Sequence, residues 1–297
     1  MIDAETENAG RGIFPPGRPK DHEVRRSQKT APSGGSAVHA VTSVGATFLR
    51  WGTGWWMVVH FGAQMLVLVL SPSSYRRGQR HVMYRNLHAA TAPFLTGFTV
   101  ISALVSLVII RIVVATASSY GLSKYALDVL VRALVIELLP LLVALFVALR
   151  YTMPGGEEVA DMRAQGKLLA MWRAGGDPAR DELLPRVVAG VFAVALLAAL
   201  SCLLALVLTY LTVYGFTTWG LDGYTRSVGQ VFNPEVTLIF ALKSLFFSLA
   251  VAILPIAPIA DHGSGAVARK LDNIAQLGRV FALLLAIEVV SLVGNYY

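Results

Sequence analysis

The chain of 297 residues is 55% hydrophobic and 14% charged, with a formal net charge of +7 and a mean hydropathy of +0.61. A soluble domain carries about 25% charged residues, and the apolar residues here run in blocks too long for core helices or strands, which excludes a soluble globular protein. The positive charge does not point to nucleic acid, because Arg and Lys cluster in short loops beside apolar runs, the bias of cytoplasmic loops in inserted proteins.

Residues 1–37 mix Pro, Gly, Ser and near-balanced charges without periodicity, and read as a disordered cytoplasmic tail with no apolar signal segment. From 38 to 70 the sequence turns apolar, with Trp51, Trp55 and Trp56 interspersed with Arg50, His60 and Gln64. Tryptophan favours the headgroup layer, and an apolar helix with such polar positions can lie along the interface. A true span over 48–70 is the alternative. It would place the unsignalled polar tail outside, so the interfacial helix is preferred. A basic loop with Arg76, Arg77, Arg80 and Arg85 follows and should be cytoplasmic.

Five predicted spans come next, at 93–117, 125–150, 187–213, 236–259 and 280–295, each suited to a crossing of about 20 residues. A short outer turn, SSYGLSK, separates the first two, and an outer loop with Trp219, Asp222 and Arg226 separates the third and fourth. Beyond residue 37, the inner loops 72–92, 151–184 and 261–279 hold most of the Arg and Lys. From a cytoplasmic start, five spans put the C-terminus outside. The fold class is therefore all-α integral membrane, with an interfacial helix before five spans.

Catalytic motifs are missing. His60, His81, His88 and His262 lack metal-ligand spacing, and neither a nucleophile elbow nor a P-loop occurs. No catalytic residue, metal or cofactor is expected, and the chain does not read as an enzyme. Glu157 and Glu158 are adjacent, about 100° apart on a helix, and read as a solvated face. The single cysteine, Cys202, lies in an apolar run and can form no internal disulfide.

Two segments carry functional information. The second span contains IELLPLLVALFVALR from residue 136, with Glu137 and Pro140 inside it. An aspartate at the centre of a spanning helix costs about 2.5–3.5 kcal/mol on insertion scales. Intramembrane ionisable groups therefore face a bundle interior or a wet cavity and pair there. Candidate partners are Arg132 and Arg111. Five residues of α-helix turn about 140°, which takes Arg132 off the face of Glu137 and favours Arg111, across the hairpin or from a second subunit. Two other roles stay open: a buried interhelical hydrogen bond for Glu137, and snorkelling to outer headgroups for both arginines. Pro140 shapes or kinks the helix.

The second segment is EEVADMRAQGKLLAMWR at 157–173, which can form an amphipathic helix with Val159, Met162, Leu169 and Trp172 on one side, closed by GGDP. Such a helix between spans could receive the push of an ATPase subunit. Many inner-loop helices have no partner at all.

The order of features resembles the MlaE-type (YrbE) permease family, the membrane subunits of MCE-associated ABC transporters. Its Glu-x-x-Pro-Val-Leu span is met by Glu137, Pro140, Leu141 and Leu142, and its closing Arg by Arg150. Its coupling segment is met by Glu158, Met162, Arg163 and Ala170, and its Gly-x-Asp-Pro turn by Gly175, Asp177 and Pro178. Pro185, Arg186 and Ala189 match the opening of the next span. Leu242, Lys243, Ser244 and Phe247 match an Ile-Lys-Ser-x-x-Phe pattern, and Gly263, Gly265, Val267 and Arg269 the Gly-rich inner loop. The acidic residue of the last span is met by Glu288. The resemblance covers residues 40 to 297, so 38–297 is read as one permease domain. Departures mark a divergent member: TMPGGE replaces a Gly-Ala-rich lead-in, with Pro154 breaking the helix early, and Ile136 stands where the family has Arg.

The resemblance implies a dimer enclosing a lipid-holding cavity, lined by Glu137, Leu138, Arg111, Arg132 and Ile109, with Tyr120 at its mouth. It implies an ATPase-docking surface over 157–178 made by Glu158, Met162, Arg163, Ala170, Trp172, Gly175, Asp177 and Pro178. Expected partners are an ABC ATPase that uses the ATP, a periplasmic MCE-domain hexamer, a small STAS-domain subunit as an optional member, a second permease copy (identical or not) and membrane lipid. The expected location is the bacterial inner membrane, and the expected cargo is phospholipid or a similar amphiphile. Two other readings stand beside it: a mainly structural half of a heterodimeric permease, and a small-solute channel unrelated to ATP.

Overall fold

The structure is a computed structural model that describes residues 58–69, 77–257 and 266–296. These residues lie within one compact unit, Gly52–Tyr297. The tail expected at 1–37 and the part of the interfacial segment at 38–57 lie outside the described residues.

Every regular element among the described residues is helical. Helix α1 (Val58–Val69) is apolar but too short to cross a bilayer. It sets Met65 and Phe61 against Ile253 and Ile256 near the end of α9. Helix α2 (Arg77–Ser119) holds 43 residues and runs about 64 Å at 1.5 Å per residue, twice a hydrocarbon core of about 30 Å. Its basic first turns, with Arg80 and Arg85, therefore project beyond the apolar part that begins near Phe94.

From Ser123 to Ala164 the chain stays helical but changes hydrogen-bond register four times. The segments are α3 (Ser123–Val129), a π-helical stretch (Leu130–Leu138), α4 (Leu139–Val147), a second π stretch (Ala148–Thr152) and α5 (Met153–Ala164). After α6 (Lys167–Arg173), a third π stretch (Ala179–Leu183) leads into α7 (Leu184–Tyr214). Each π stretch ends two residues before a proline: Pro140, Pro154 and Pro185. Proline has no N–H and its ring collides with the carbonyl four residues back. Running the preceding bonds to i−5 shifts the ladder past that defect and keeps the chain helical. Pro154 thus does not break the helix, contrary to the expectation from TMPGGE.

Helices α8 (Leu221–Val231), α9 (Pro234–Ile253) and α10 (Ala266–Tyr296) complete the chain. Asn233 caps α9, its side-chain oxygen accepting the Val236 N–H at 2.7 Å. Among the described residues, five helices are long and apolar enough to cross a membrane: His81–Ser119, Tyr125–Ala164, Ala179–Tyr214, Pro234–Ile253 and Ile274–Asn295. The all-α membrane architecture read from the sequence is the one found.

Helix α7 is the centre of the bundle and packs on α2, α4 and α9, while α10 packs on α9. Its buried face is rich in small residues, Ala189, Gly190, Ala193, Ala198, Ser201 and Ala205, set among Val187, Val194 and Leu197. Lipid tails are as apolar as leucine, so helices associate there by close van der Waals approach, which small residues permit. A Cβ at Gly190 would lie 3.1 Å from the Thr152 side chain and 3.3 Å from Ala252. Beyond α7, α8 lays Tyr224 and Val231 against the bundle. The Tyr224 hydroxyl donates to Leu206 O at 2.7 Å, and burial pushes the phenol up to about 12.

The expected single amphipathic helix at 157–173 is divided. Gly166, at φ +71°, ends α5 and starts α6, and Gly175, at φ +84°, ends α6. Both conformations are left-handed, where glycine has no Cβ penalty.

Candidate functional site

Three ionisable side chains from three spans meet inside the apolar bundle. Lys243 of α9 has a side chain only 1% exposed. Its Nζ donates to Glu137 Oε2 and, at 3.3 Å, to the Ile136 carbonyl, both in the π stretch 130–138. Glu288 Oε2 of α10 lies 2.8 Å from the same Nζ, an ion pair poorly aligned as a hydrogen bond. The ring of Phe247, one turn along α9, has its centroid 5.7 Å from the ammonium.

Pro140 explains why this backbone can receive a lysine. The last π-type bond runs from the Leu139 N–H to Leu134 O. The next donor would be Pro140, which has none. Its acceptor in the π register is Val135 O, and in the α register Ile136 O. Both carbonyls are met by side chains instead: the Cys202 thiol donates to Val135 O at 3.4 Å, and Lys243 to Ile136 O. The Glu-x-x-Pro spacing therefore sets a carboxylate beside a carbonyl whose α-register donor is missing.

Two carboxylates share this one ammonium. Taking each charge out of water costs several kcal/mol even after relaxation, so the cluster persists only through close mutual contacts. Glu137 Oε1 is buried with no hydrogen-bond partner. When all three groups are ionised the set carries one surplus negative charge, and Glu137 Oε1 and Glu288 Oε2 are both buried without a hydrogen-bond donor.

The other residues expected around the cavity are not brought to Glu137 within the chain. Arg111 is exposed on α2 and makes no ion pair among the described residues; the cation beside Glu137 is Lys243. The turn-angle argument for Arg132 fails because 130–138 is π-helical, where bonds run five residues and residues five apart approach a common face. Arg132 nevertheless pairs with Asp128, at 3.2 Å. Tyr120 is 77% exposed in the turn after α2. Ile109 and Leu138 are half-buried and pack on the cluster of Ile110, Leu134 and Leu139.

Lys243 and Glu288 were matched in the sequence to family positions, but not joined to Glu137. The signal was available. They are isolated charges in otherwise apolar spans, and intramembrane charges of opposite sign usually pair with one another.

The coupling residues divide into two groups. Glu158 Oε2 pairs with Arg186 Nη1 at 2.8 Å, and Met162 Sδ lies 3.9 Å from Arg186 Nη2. Arg186 also donates to Gly155 O at 3.3 Å and pairs with Glu182 at 3.4 Å, so it ties the start of α5 to α7. Arg163, Ala170 and Trp172 are exposed. Asp177 accepts the Ala179 N–H at 3.1 Å and pairs with Arg180, which holds the Gly175–Pro178 turn. Among the described residues, no group of three or more His, Cys, Asp and Glu is placed to hold a metal ion.

The family model described as Permease MlaE matches residues 83–267, a stretch that holds Glu137, Lys243 and the coupling segment and stops short of Glu288. No curated protein matches the chain.

Proposed function

Because the chain belongs to the MlaE permease family, and so is a membrane subunit of an ABC-type transporter, we propose that it moves phospholipid or a similar amphiphile between inner and outer membranes, working with a periplasmic MCE-domain protein. The observation that carries this reading is the Glu137–Lys243–Glu288 cluster. Charges held in an apolar bundle, with carboxylate oxygens left without a donor, suit a cargo whose headgroup is polar and whose tails are not. On this reading the N-terminus is cytoplasmic, the C-terminus is periplasmic, and α5 and α6 meet an ATPase that hydrolyses the ATP. A second copy of a permease closes the cavity.

Glu137→Gln tests the substrate role. The amide keeps the size and a hydrogen-bond acceptor for Lys243, so yield and thermal midpoint in detergent should stay close to the parent. Lipid transport by the reconstituted complex should fall about tenfold, since a charge-assisted hydrogen bond of about 1.5–3 kcal/mol becomes a neutral one. Transport at the parent rate by a well-folded variant removes Glu137 from the substrate path and leaves it a packing residue.

The docking surface is tested at Trp172, which is 69% exposed on α6. Met162 is a poorer probe, because it leans on Arg186 within the chain. Trp172→Asp should leave insertion intact and weaken ATPase binding by orders of magnitude, because a buried unpaired charge at an interface costs several kcal/mol. Co-purification of the ATPase at parental stoichiometry would show that α6 is not the contact.

A further inference from the structure

A cavity of about 270 Å³ lies away from the charge cluster, beside the second π stretch and the start of α5. Phe94, Tyr151, Pro154 and Ile256 give it a largely apolar wall; Asn86, Arg150, Glu158 and Arg186 supply the polar part. It sits where α2 changes from the polar turns around Arg85 and Asn86 to the apolar run from Phe94, the change in polarity by which an inserted helix passes from headgroups to hydrocarbon.

The two arginines there are unequal. Arg186 is engaged by Glu158, Glu182 and Gly155 O, yet its Nε–H is buried without an acceptor. Arg150 is exposed and stacks its guanidinium over Phe94, 5.5 Å from the ring centroid. Among the described residues no carboxylate lies within ion-pair distance of it. A guanidinium is a planar fork that matches phosphate oxygens and needs a counter-anion when it leaves bulk water. An apolar wall with an unneutralised arginine at its rim, at headgroup depth, is the chemistry of a basic pocket between spans that holds an anionic lipid head.

We infer that this cavity binds the phosphodiester headgroup of a lipid from the adjoining leaflet, with Arg150 taking the phosphate oxygens and the Arg186 Nε–H within the same wall. The volume accommodates a glycerophosphate head and leaves no space for two acyl chains, which would remain in the bilayer against the Phe94 side. Pro154, Gly155 and Glu158 belong to α5, so an occupied site touches the root of the coupling segment.

The test is native mass spectrometry of the full chain from mild detergent, titrated with phosphatidylglycerol and, in a parallel arm, with inorganic phosphate. The parent protein should retain one phosphatidylglycerol that Arg150→Gln loses by about tenfold or more in affinity and that Arg150→Lys partly restores. Ala89→Trp, which fills the cavity from α2 and keeps both arginines, should exclude the lipid as well. Glu137→Gln should leave this adduct in place, which separates the site from the central cluster. Equal retention by Arg150→Gln and Ala89→Trp overturns the proposal. So does loss of the adduct in Glu137→Gln alone, which would assign the lipid to the central cluster. Displacement by inorganic phosphate at matched concentration would make the site one for a soluble anion, and overturns the lipid assignment.

Discussion

Lys243→Met should give the largest loss of stability of any single substitution in the bundle. Methionine matches the length of the aliphatic stem and brings no charge, so the change removes the ammonium and little else. Glu137 and Glu288 are then left facing each other, with side chains only 12% and 11% exposed. Removing one partner of a buried ion pair costs about 3–5 kcal/mol, because the remaining charge stays desolvated and unpaired. Thermal unfolding in detergent should show a lowered midpoint and a poor yield of monodisperse protein. Adding Glu137→Met and Glu288→Met to the same chain should recover the midpoint, since replacing a whole buried ionic set by hydrophobic residues of similar volume is often neutral or stabilising. Transport should not recover. An unchanged midpoint for Lys243→Met alone would show that the two carboxylates are hydrated in the absence of the lysine, and would refute the dry cluster described above.

Gly156→Ala is the second large effect expected, and it acts on coupling. A Cβ at Gly156 would lie 2.5 Å from Pro255 O, 3.2 Å from the Pro255 carbonyl carbon and 3.3 Å from its Cβ. Backbone and a proline ring have no rotamer by which to yield, so α5 must move off the end of α9. Overpacking of this kind costs about 1–3 kcal/mol. The neighbouring Gly155 is the control, because a Cβ there meets nothing within 4 Å. Gly155→Ala should behave as the parent. Gly156→Ala should insert and still bind an ATPase, while stimulation of ATP hydrolysis by lipid falls severalfold in the reconstituted complex. Equal stimulation in the two variants would show that the contact between α5 and Pro255 carries no part of the coupling.

The spans were readable in the sequence because length and apolarity are all that a bilayer crossing demands. The π stretches were not, because hydrogen-bond register leaves no mark on composition, and periodicity is read against an α template. The α template therefore misplaces Arg132 relative to Glu137, and it makes Pro154 look like a break because the π adjustment ahead of it has no sequence signature. Glu137 stood out by cost alone. Its partner did not, since Arg111 is near in sequence across a hairpin while Lys243 is more than a hundred residues away. Only the packing of α9 and α10 beside α4 brings Lys243 and Glu288 to it. Gly166 was passed over because Gly175 and Gly176 offered a stronger stop signal in the same segment.

The pairing of each π stretch with a following proline also bears on how such a chain can change length over evolutionary time. A residue gained or lost inside an α-helix rotates everything beyond it by about 100°, which would turn the small-residue face of α7 toward lipid. A wide turn is a place where the chain already holds a residue more than the α ladder requires. Losing one between Leu130 and Leu138, or between Ala148 and Thr152, tightens the local register and leaves the faces on either side in their present orientation. A residue lost there would leave those faces in place, and its cost would fall on the proline that follows, which would no longer have the i−5 register ahead of it.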